Sequence, residues 1–314
     1  MTYWQTAVNI RADKLTLDTQ HKRQLGPVLG ATLVCNNLDE VVQAYCQQLH
    51  FSVVADSFVK ESESNFWGVP KLLGARIVIL AASNKDAWLR VIEDVDAKPE
   101  NSLLTHGWMA MEVNVGDVDA VAQGLGAEFT VVGPPAFLQM SDAIKAMQVV
   151  GPAGELSYLT QILKPVPPFE LPMTQKKSGS LFIPVLSTPD RAATLDFYES
   201  LHHADKGLQF STKVTVLNKA WGLDIENQFD IATLQLAGNT LFEIDEVPHA
   251  EPRTVPGESL PAGISIITIK VEDIDRMSAL TQKKPCEIDS PYLGDCRAIL
   301  LRGPSGEFLE CVGK

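Results

Sequence analysis

The chain has 314 residues, a formal net charge of −13 and 45% hydrophobic residues. This excess of acid disfavours nucleic acid and anionic membranes as partners, because phosphate groups are bound mainly by Lys and Arg. Its five cysteines form no CxxC pair, so neither a disulfide framework nor a zinc knuckle is indicated. No apolar run approaches the roughly 20 residues that span a bilayer, and residues 1–18 lack the apolar stretch of a secretion signal. We therefore expect a cytoplasmic protein of two domains.

The first quarter of the chain predicts one helix and four strands. "LGATLVC" (29–35) has strand character, and "NNLDEVVQAYCQQL" (36–49) places apolar residues at helical spacing after Asn37, which can cap the helix with Glu40. Three runs rich in β-forming residues follow, "FSVVADSFV", "ARIVILAAS" and "WLRVIEDV". This order of elements is a βαβββ module.

The other three quarters repeat the same order. The second begins with the strand "WMAMEVNV" (108–115), the third with "SLFIPVLS" (180–187) and the fourth with "GISIITIKV" (263–271). Residues 1–26 lie outside the modules and form either an arm packed on one half or a disordered tail. Residues 164–178, with four prolines, are typical of a semi-rigid linker. The pattern therefore predicts an α+β fold of four βαβββ modules.

The two halves of the chain are copies of each other. "GPAGELSYLTQI" (151–162) returns 152 residues later as "GPSGEFLECVGK" (303–314), and "AYCQQLH" (44–50) returns at the same offset as "DFYESLH" (196–202). Several ungapped matches at one offset indicate an internal duplication. We therefore place two similar domains at residues 27–163 and 179–314, each built from two modules.

Three groups of segments resemble the vicinal oxygen chelate superfamily of glyoxalase I, extradiol dioxygenases and bleomycin-resistance proteins. "TPDRAATLDFYESLH" (188–202) is similar to the first helix of that family, and "VGDVDAVAQGLGAEF" (115–129) and "VEDIDRMSAL" (271–280) resemble the helix of its even modules. The two Gly-Pro-x-Gly-Glu hairpins resemble its turn before the last strand. The resemblance covers nearly all of the chain after residue 26 and implies modules paired into two cup-shaped domains.

The resemblance also implies where a divalent metal would be held, by one residue from each of four strands in a cup. These positions fall on Ile183, Glu243, Ile266 and Glu310 in the second half, and near Ala31 or Gly30, Val91, Ala110 and Tyr158 in the first. Isoleucine, valine and alanine cannot donate to a cation. We therefore predict no cofactor and no typical metal site, with a weak site at Glu243 and Glu310 as the alternative.

A pocket is instead expected in the first half of the chain. Strand alternation places His106, Trp108, Ala110 and Glu112 on one face, with Tyr158 opposite. An aromatic ring, a phenol and a carboxylate above a floor of small residues are typical of a site for an organic compound. We assign proton transfer to Glu112 and Tyr158. The other residues of this face, His106, Trp108 and Ala110, are expected to contact the ligand. In the competing interpretation, Trp108 lies in the core and Glu112 reaches solvent at the rim of the sheet.

Three further residues complete the predicted site. Trp67 precedes a glycine in the long loop before the third strand and is expected either to cover the pocket or to anchor that loop. Glu243 and Glu310 are interpreted either as relics of a lost metal site or as a pair of carboxylates that binds the ligand.

Three functions fit this pattern. The first is an enzyme acting on a small, largely apolar organic compound, as a lyase or isomerase in preference to a ring-cleaving dioxygenase. The second is a metal-free protein that binds and sequesters such a compound. The third is a structural or interaction protein with collapsed cups. The sequence does not indicate the oligomeric state, because fused modules already pair within one chain.

Overall fold

A computed structural model describes residues 22–138 and 141–313. In this part of the chain, the strands are β1 (Leu25–Cys35), β2 (Ser52–Phe58), β3 (Arg76–Ala81), β4 (Ala87–Glu93), β5 (Gly107–Asn114), β6 (Thr130–Leu138), β7 (Ser141–Val150), β8 (Leu156–Ile162), β9 (Leu181–Thr188), β10 (Leu208–Thr212), β11 (Phe229–Gln235), β12 (Leu241–Glu246), β13 (Gly263–Val271), β14 (Cys286–Ser290), β15 (Gly294–Arg302) and β16 (Phe308–Gly313). The α-helices are α1 (Leu38–Gln48), α2 (Glu61–Trp67), α3 (Val118–Gly124), α4 (Arg191–His202), α5 (Thr215–Trp221) and α6 (Ile274–Thr281).

Four modules of four strands follow one another, so the predicted α+β fold is confirmed. The helix after each first strand begins at an Asn or Asp side chain that accepts a backbone N–H. Asn37 accepts from Glu40 at 3.3 Å, as its spacing predicts, and Asp190 accepts from Ala193 at 2.9 Å. Two helices, α2 and α5, were not predicted, because each is a single short segment inside a long loop. Both end at a glycine in the left-handed region, where a side chain is disfavoured.

The strands form two eight-stranded sheets. One has the order β14-β15-β16-β13-β1-β4-β3-β2 and the other the order β10-β11-β12-β9-β5-β8-β7-β6. The first strands of the modules, which are buried along nearly their whole length, lie in the middle of the sheets, where β1 pairs with β13 and β5 with β9. We call the first sheet, built from modules one and four, the outer cup, and the second, built from modules two and three, the inner cup.

The prediction that each half of the chain closes its own cup is therefore wrong. Each cup takes one module from each half, so the duplicated halves are joined by strand pairing within each sheet, β1 with β13 and β5 with β9. The repeat could not reveal this, because strand pairing between modules is decided by long-range burial rather than by the order of elements. The pairing of four modules into two cups is confirmed.

The repeated Gly-Pro-x-Gly-Glu hairpins join the sheets. Glu155 accepts a hydrogen bond from the hydroxyl of Tyr45 at 2.7 Å, and Glu307 accepts one from Tyr198 at 2.6 Å. In each pair the tyrosine lies on the helix of one cup and the glutamate on a hairpin of the other. A side chain at Gly151 would meet the Glu155 carboxylate at 2.0 Å, which explains the glycine that opens the motif. The motif is thus a structural joint between the cups.

The segments outside the modules are partly packed against them. Residues 1–21 of the predicted N-terminal arm lie outside the described residues, and β1 already begins at Leu25. The predicted linker, residues 164–178, has no regular structure but is not a free spacer. Phe169 and Leu171 pack against the inner cup, and the Asn114 side chain donates to the Pro172 carbonyl at 2.8 Å. No helix in the described residues is long and apolar enough to cross a membrane.

Candidate functional site

The inner cup encloses a cavity of about 490 Å³. Its walls come from both halves of the chain. Strands β5 to β8 supply one side, strands β9 to β12 supply the other, and helix α5 and the packed linker cover it. A volume of this size is typical of a site for a small organic ligand.

Two carboxyl groups and a phenol reach the cavity from the sheet. Glu112 lies on β5 directly beside Tyr158 on β8, and both are only 9% exposed. Glu243 reaches it from β12, and Ile183 on β9 lies opposite Glu112. Two neutral polar side chains line the cavity next to them, Gln148 beside Tyr158 and Thr233 beside Glu243.

Burial raises the pKa of these groups. It raises the pKa of Glu112 to about 8, with a further contribution from the charge of Glu243 and a smaller opposing hydrogen bond from Thr160. Burial also raises the pKa of Glu243 to about 7. Desolvation favours the neutral form of a carboxyl group, and two nearby carboxylates repel each other. Near neutral pH, Glu112 is therefore able both to give up a proton and to take one.

A third carboxyl group lies at the same floor. Asp245 is fully buried on β12, two residues after Glu243. Burial raises the pKa of Asp245 well above its ordinary value, and the charges of Glu243 and Glu112 raise it further. Among the described residues, neither carboxyl oxygen of Asp245 has a hydrogen-bond partner, and nor does the Tyr158 hydroxyl. Unsatisfied polar groups in a folded interior are rare and costly, so this concentration of them marks the floor as unusual.

The walls above the floor are mainly apolar, while the mouth carries charges. The apolar lining includes Phe137, Leu138, Ile144, Phe169, Leu171 and Phe210. At the mouth, Lys213 forms an ion pair with Glu226 at 2.7 Å, and Lys219 lies near the Val132 carbonyl at 3.5 Å. The ammonium groups of both lysines therefore have partners at the mouth of the cavity.

Side chains fill the centre of the outer cup. Arg90 on β4 donates to the Glu310 carboxylate at 3.0 Å, and both side chains are 1% exposed. Thr268 donates to the same carboxylate at 2.6 Å, and the Trp67 indole donates to it at 3.1 Å. Glu310, which the repeat aligns with Tyr158, is thus fully engaged by neighbouring side chains.

Aromatic rings complete the filling of the outer cup. The Arg90 guanidinium lies 4.7 Å from the centre of the Trp67 ring and 5.2 Å from that of Tyr292. The Tyr292 hydroxyl donates to the Leu29 carbonyl at 2.7 Å, and a side chain at Gly30 would meet that hydroxyl at 2.2 Å. The space that a glycine leaves at this floor is therefore filled by Tyr292 and does not form a pocket.

Strand register explains which predicted residues do not border the cavity. Between Trp108 and Ala110, two residues of β5 lie opposite one residue of β9, which is a bulge. It turns Trp108 to the core shared by the sheets, where the ring packs 5.7 Å from that of Phe242 and the indole donates to the Phe308 carbonyl at 2.8 Å. The predicted alignment of Trp108 with Glu112 on one face is therefore wrong.

Two other predicted ligand contacts are part of the structural framework. Ala110 is fully buried in the hydrophobic cluster of the inner cup and does not line the cavity. The ring of His106 lies before β5, where Nε2 is 3.1 Å from the Val247 carbonyl oxygen. The cavity-lining residue of β5 is Glu112, two positions beyond the expected ligand position at Ala110.

The remaining candidates are divided between the cups. Glu243 borders the cavity with Glu112 and Tyr158, whereas Trp67 and Glu310 contact each other in the outer cup. The predicted pairing of Glu243 with Glu310, and the predicted position of Trp67 over the pocket, are therefore wrong. The prediction that the pocket lies in the first half of the chain is also wrong, because Glu243 belongs to the second half.

Sequence reasoning missed two residues of the cup floors. Asp245 could have been found from alternation, since it stands two residues after Glu243 on the same strand. Arg90 was missed because counting placed the neighbouring Val91 inside the cup, whereas Val91 packs in the core shared by the sheets. A shift of one residue turns a strand side chain to the opposite face.

Comparison with solved structures identifies the fold. Glyoxalase I from Zea mays aligns over 91% of this chain and 92% of its own, with a TM-score of 0.57 and 13% identity. A mutant form of the same enzyme aligns over 98% of this chain and 96% of its own, with a TM-score of 0.62 and 12% identity. This chain has the paired-module fold of glyoxalase I. A Bacillus subtilis protein described as a "putative dioxygenase" has it too, with a TM-score of 0.60 and 10% identity over 93% of this chain and 86% of its own. No family model and no curated protein matches the sequence.

The glyoxalase fold implies a metal site in a cup, but the residues present do not fit one. In the inner cup the available donors are the two carboxyl groups with raised pKa and a phenol, and Ile183 occupies the position facing Glu112. In the outer cup the guanidinium of Arg90 already neutralises Glu310. Across the described residues, no three His, Cys, Asp or Glu side chains are arranged to hold a metal ion. Imidazole, the usual partner of carboxylates in transition-metal sites, is missing from both floors.

Proposed function

We propose that the inner cup binds a small, largely apolar organic compound and that Glu112 transfers a proton to or from it, in a lyase or isomerase reaction. The observation that carries this proposal is a carboxyl group with a pKa of about 8 that borders a cavity of about 490 Å³. A general base or acid acts best when its pKa lies near the working pH. The fold does not decide the chemistry, which depends on this site.

In this proposal Glu112 acts as the base, and the neighbouring groups stabilise the charge that develops on the substrate. An ionised Glu112 would take a proton from a carbon next to an electron-withdrawing group of the substrate. The Tyr158 hydroxyl, which has no hydrogen-bond partner among the described residues, would donate to the oxygen on which charge develops. A neutral Glu243 is able to donate in the same way. The apolar walls exclude water and hold the body of the substrate.

A second function, sequestration without reaction, has one observation in its favour. The lining supplies apolar walls and few polar contacts, which suffices for binding. In that case Glu112 and Tyr158 would serve only as hydrogen-bonding groups for the ligand.

Deuterium exchange distinguishes the two functions. Compounds that bind are first found by ligand-observed NMR with a library of small aromatic and oxygenated molecules. Each binder is then incubated with the protein in D2O, and loss of its C–H signals is followed. An enzyme should exchange a proton of its substrate, Glu112→Gln should abolish exchange while binding remains, and Glu287→Gln on the exposed surface should have no effect. Binding with no exchange in any compound would favour sequestration, and no binding at all would contradict both functions.

A further inference from the structure

We infer that the ligand of the inner cup is an amphipathic amine, whose ammonium group is held by Glu112 and Glu243, with Asp245 buried beside them, and whose apolar body fills the walls. This inference rests on the proposed function, because it names the class of compound that the same cavity takes. It goes further in assigning a charge to the ligand.

The first reason is that no cation lies beside the carboxyl groups of the floor. Glu112 and Glu243 line the cavity, Asp245 is fully buried two residues from Glu243, and within residues 22–138 and 141–313 no ion pair involves any of them. The nearest cations of the cavity lining are Lys213 and Lys219, which are held at the mouth. In the outer cup, by contrast, Arg90 pairs with the Glu310 carboxylate. A buried carboxyl group ionises readily only beside a positive charge, and a bound ammonium group would supply that charge.

The second reason is the number of hydrogen-bonding atoms left open. The Tyr158 side chain borders the cavity and is 9% exposed, and its buried hydroxyl has no partner among the described residues. Both carboxyl oxygens of the fully buried Asp245 are unpartnered as well. An ammonium group carries three donors and no acceptor, so it matches a floor that is rich in acceptor oxygens.

The third reason is the lining above the floor. Phe137, Phe169 and Phe210 line the walls, and aromatic faces attract an organic cation in addition to packing against its apolar part. A hydrated metal ion or an inorganic cation would gain nothing from these walls. The cavity thus combines an acidic end with an apolar body in the arrangement that an amphipathic amine requires.

The test uses three compounds of nearly the same shape and different charge: 2-phenylethylamine, 2-phenylethanol and 3-phenylpropanoate. Isothermal titration calorimetry at pH 7 measures their binding to the full chain in buffers of different ionisation enthalpy. The amine should bind at least about tenfold more tightly than the alcohol, the size of one charge-assisted hydrogen bond. Its binding should release protons to the buffer, because a bound ammonium stabilises the ionised carboxylates. The alcohol should release none, and the propanoate should bind most weakly.

Variants of the floor residues test whether the preference for the amine over the alcohol arises there. Glu112→Gln and Asp245→Asn should each reduce the preference for the amine, whereas Glu287→Gln removes a surface charge and should leave it unchanged. The preference should also rise between pH 5 and 8. The titrating and charged groups that line the cavity are Glu112, Tyr158 and Glu243 at the floor and Lys213, Lys219 and Glu226 at the mouth, and Asp245 is buried beside Glu243.

The outcomes separate this inference from the function on which it rests. If the alcohol binds as tightly as the amine, or the propanoate binds best, the amine is the wrong class while binding of an organic compound stands. If the amine is preferred equally in Glu112→Gln and Asp245→Asn, the preference arises elsewhere and the inference is overturned. If none of the three compounds binds, the inference is also overturned, and the deuterium experiment with other compounds decides the proposed function by itself.

Discussion

Arg90 and Glu310 form an ion pair at 3.0 Å in the centre of the outer cup, where both side chains are 1% exposed. The strand position of Glu310 corresponds in the repeat to Tyr158, which lines the cavity of the inner cup and whose hydroxyl has no partner among the described residues. The same position of the duplicated strand therefore lies in a filled centre with an ion pair in the outer cup, and beside an open cavity with carboxyl groups in the inner cup. We interpret the outer cup as a framework and the inner cup as the working site.

Removal of Arg90 should destabilise the protein strongly. Arg90→Met leaves the Glu310 carboxylate buried with only the donors of Trp67 and Thr268, and breaking a buried pair costs about 3–5 kcal/mol. Urea unfolding followed by circular dichroism measures the change in free energy of unfolding. The control is Lys60→Met, which breaks an exposed ion pair with Asp289 of 2.6 Å and should cost no more than about 1 kcal/mol. Equal small losses in both variants would contradict a central structural pair.

Replacement of Glu112 should stabilise the ligand-free protein at high pH. The folded-state pKa of about 8 lies above the ordinary value of 4.5. The stability contributed by the protonated carboxyl group is therefore fully present below about pH 4.5 and is lost as the pH rises through about 8. Glu112→Gln cannot lose it, so thermal unfolding should show a small difference at pH 4.5 and a growing advantage of the variant towards pH 9. A difference that is independent of pH would show that Glu112 titrates normally.

A larger side chain in the cavity wall should block binding without damaging the fold. Ala146 lines the cavity, so Ala146→Phe occupies space that is otherwise empty, and the binding of a compound found in the screen should be lost. Ala110 is the matched control, because it is fully buried away from the cavity. Ala110→Ile should instead cost about 1–3 kcal/mol in stability by overpacking. If Ala110→Ile is stable and blocks binding while Ala146→Phe does not, the cavity has been misplaced.

The two buried tyrosine–glutamate bonds should hold the cups together. Tyr45→Phe and Tyr198→Phe each remove the hydroxyl that a buried glutamate accepts, so each should lower the free energy of unfolding by about 1.5–3 kcal/mol. Tyr158→Phe removes a buried hydroxyl that has no partner among the described residues, so it should change stability little. A cost for Tyr158→Phe as large as that of the other two would refute this distinction.

Protein purified without chelators should contain well under one equivalent of transition metal. This prediction follows from the donors at the inner floor, where Glu112 and Glu243 have raised pKa values and Ile183 faces them in place of an imidazole. Elemental analysis by mass spectrometry gives the metal content. Stoichiometric zinc, iron, manganese or nickel that is lost in Glu112→Gln or Glu243→Gln would contradict the prediction.

Much of the fold could be predicted from the sequence because its signals are local. The capping residue Asn37 and the patterns of apolar and β-forming residues predicted helices and modules, and the resemblance to the vicinal oxygen chelate superfamily implied the two cups. The pairing of modules could not be predicted, because β1 and β13 are separated by more than half of the chain. Contacts of such sequence separation leave no periodic signal in either partner.

The candidate site was predicted in part, and strand register explains the rest. Glu112 was chosen from strand alternation, and Tyr158 and Glu243 from the ligand positions that the resemblance implies, and all three line one cavity. Trp108 was misplaced because a bulge is invisible in simple alternation. Arg90 was missed because the count was wrong by one residue and placed its neighbour Val91 inside the cup.

The most direct measurement for the central claim is a crystal structure of the protein soaked with the binding compounds. The account predicts ligand density in the inner cup, in contact with Glu112 and Tyr158, and none between Arg90 and Glu310. Density in the outer cup with an empty inner cup would contradict it.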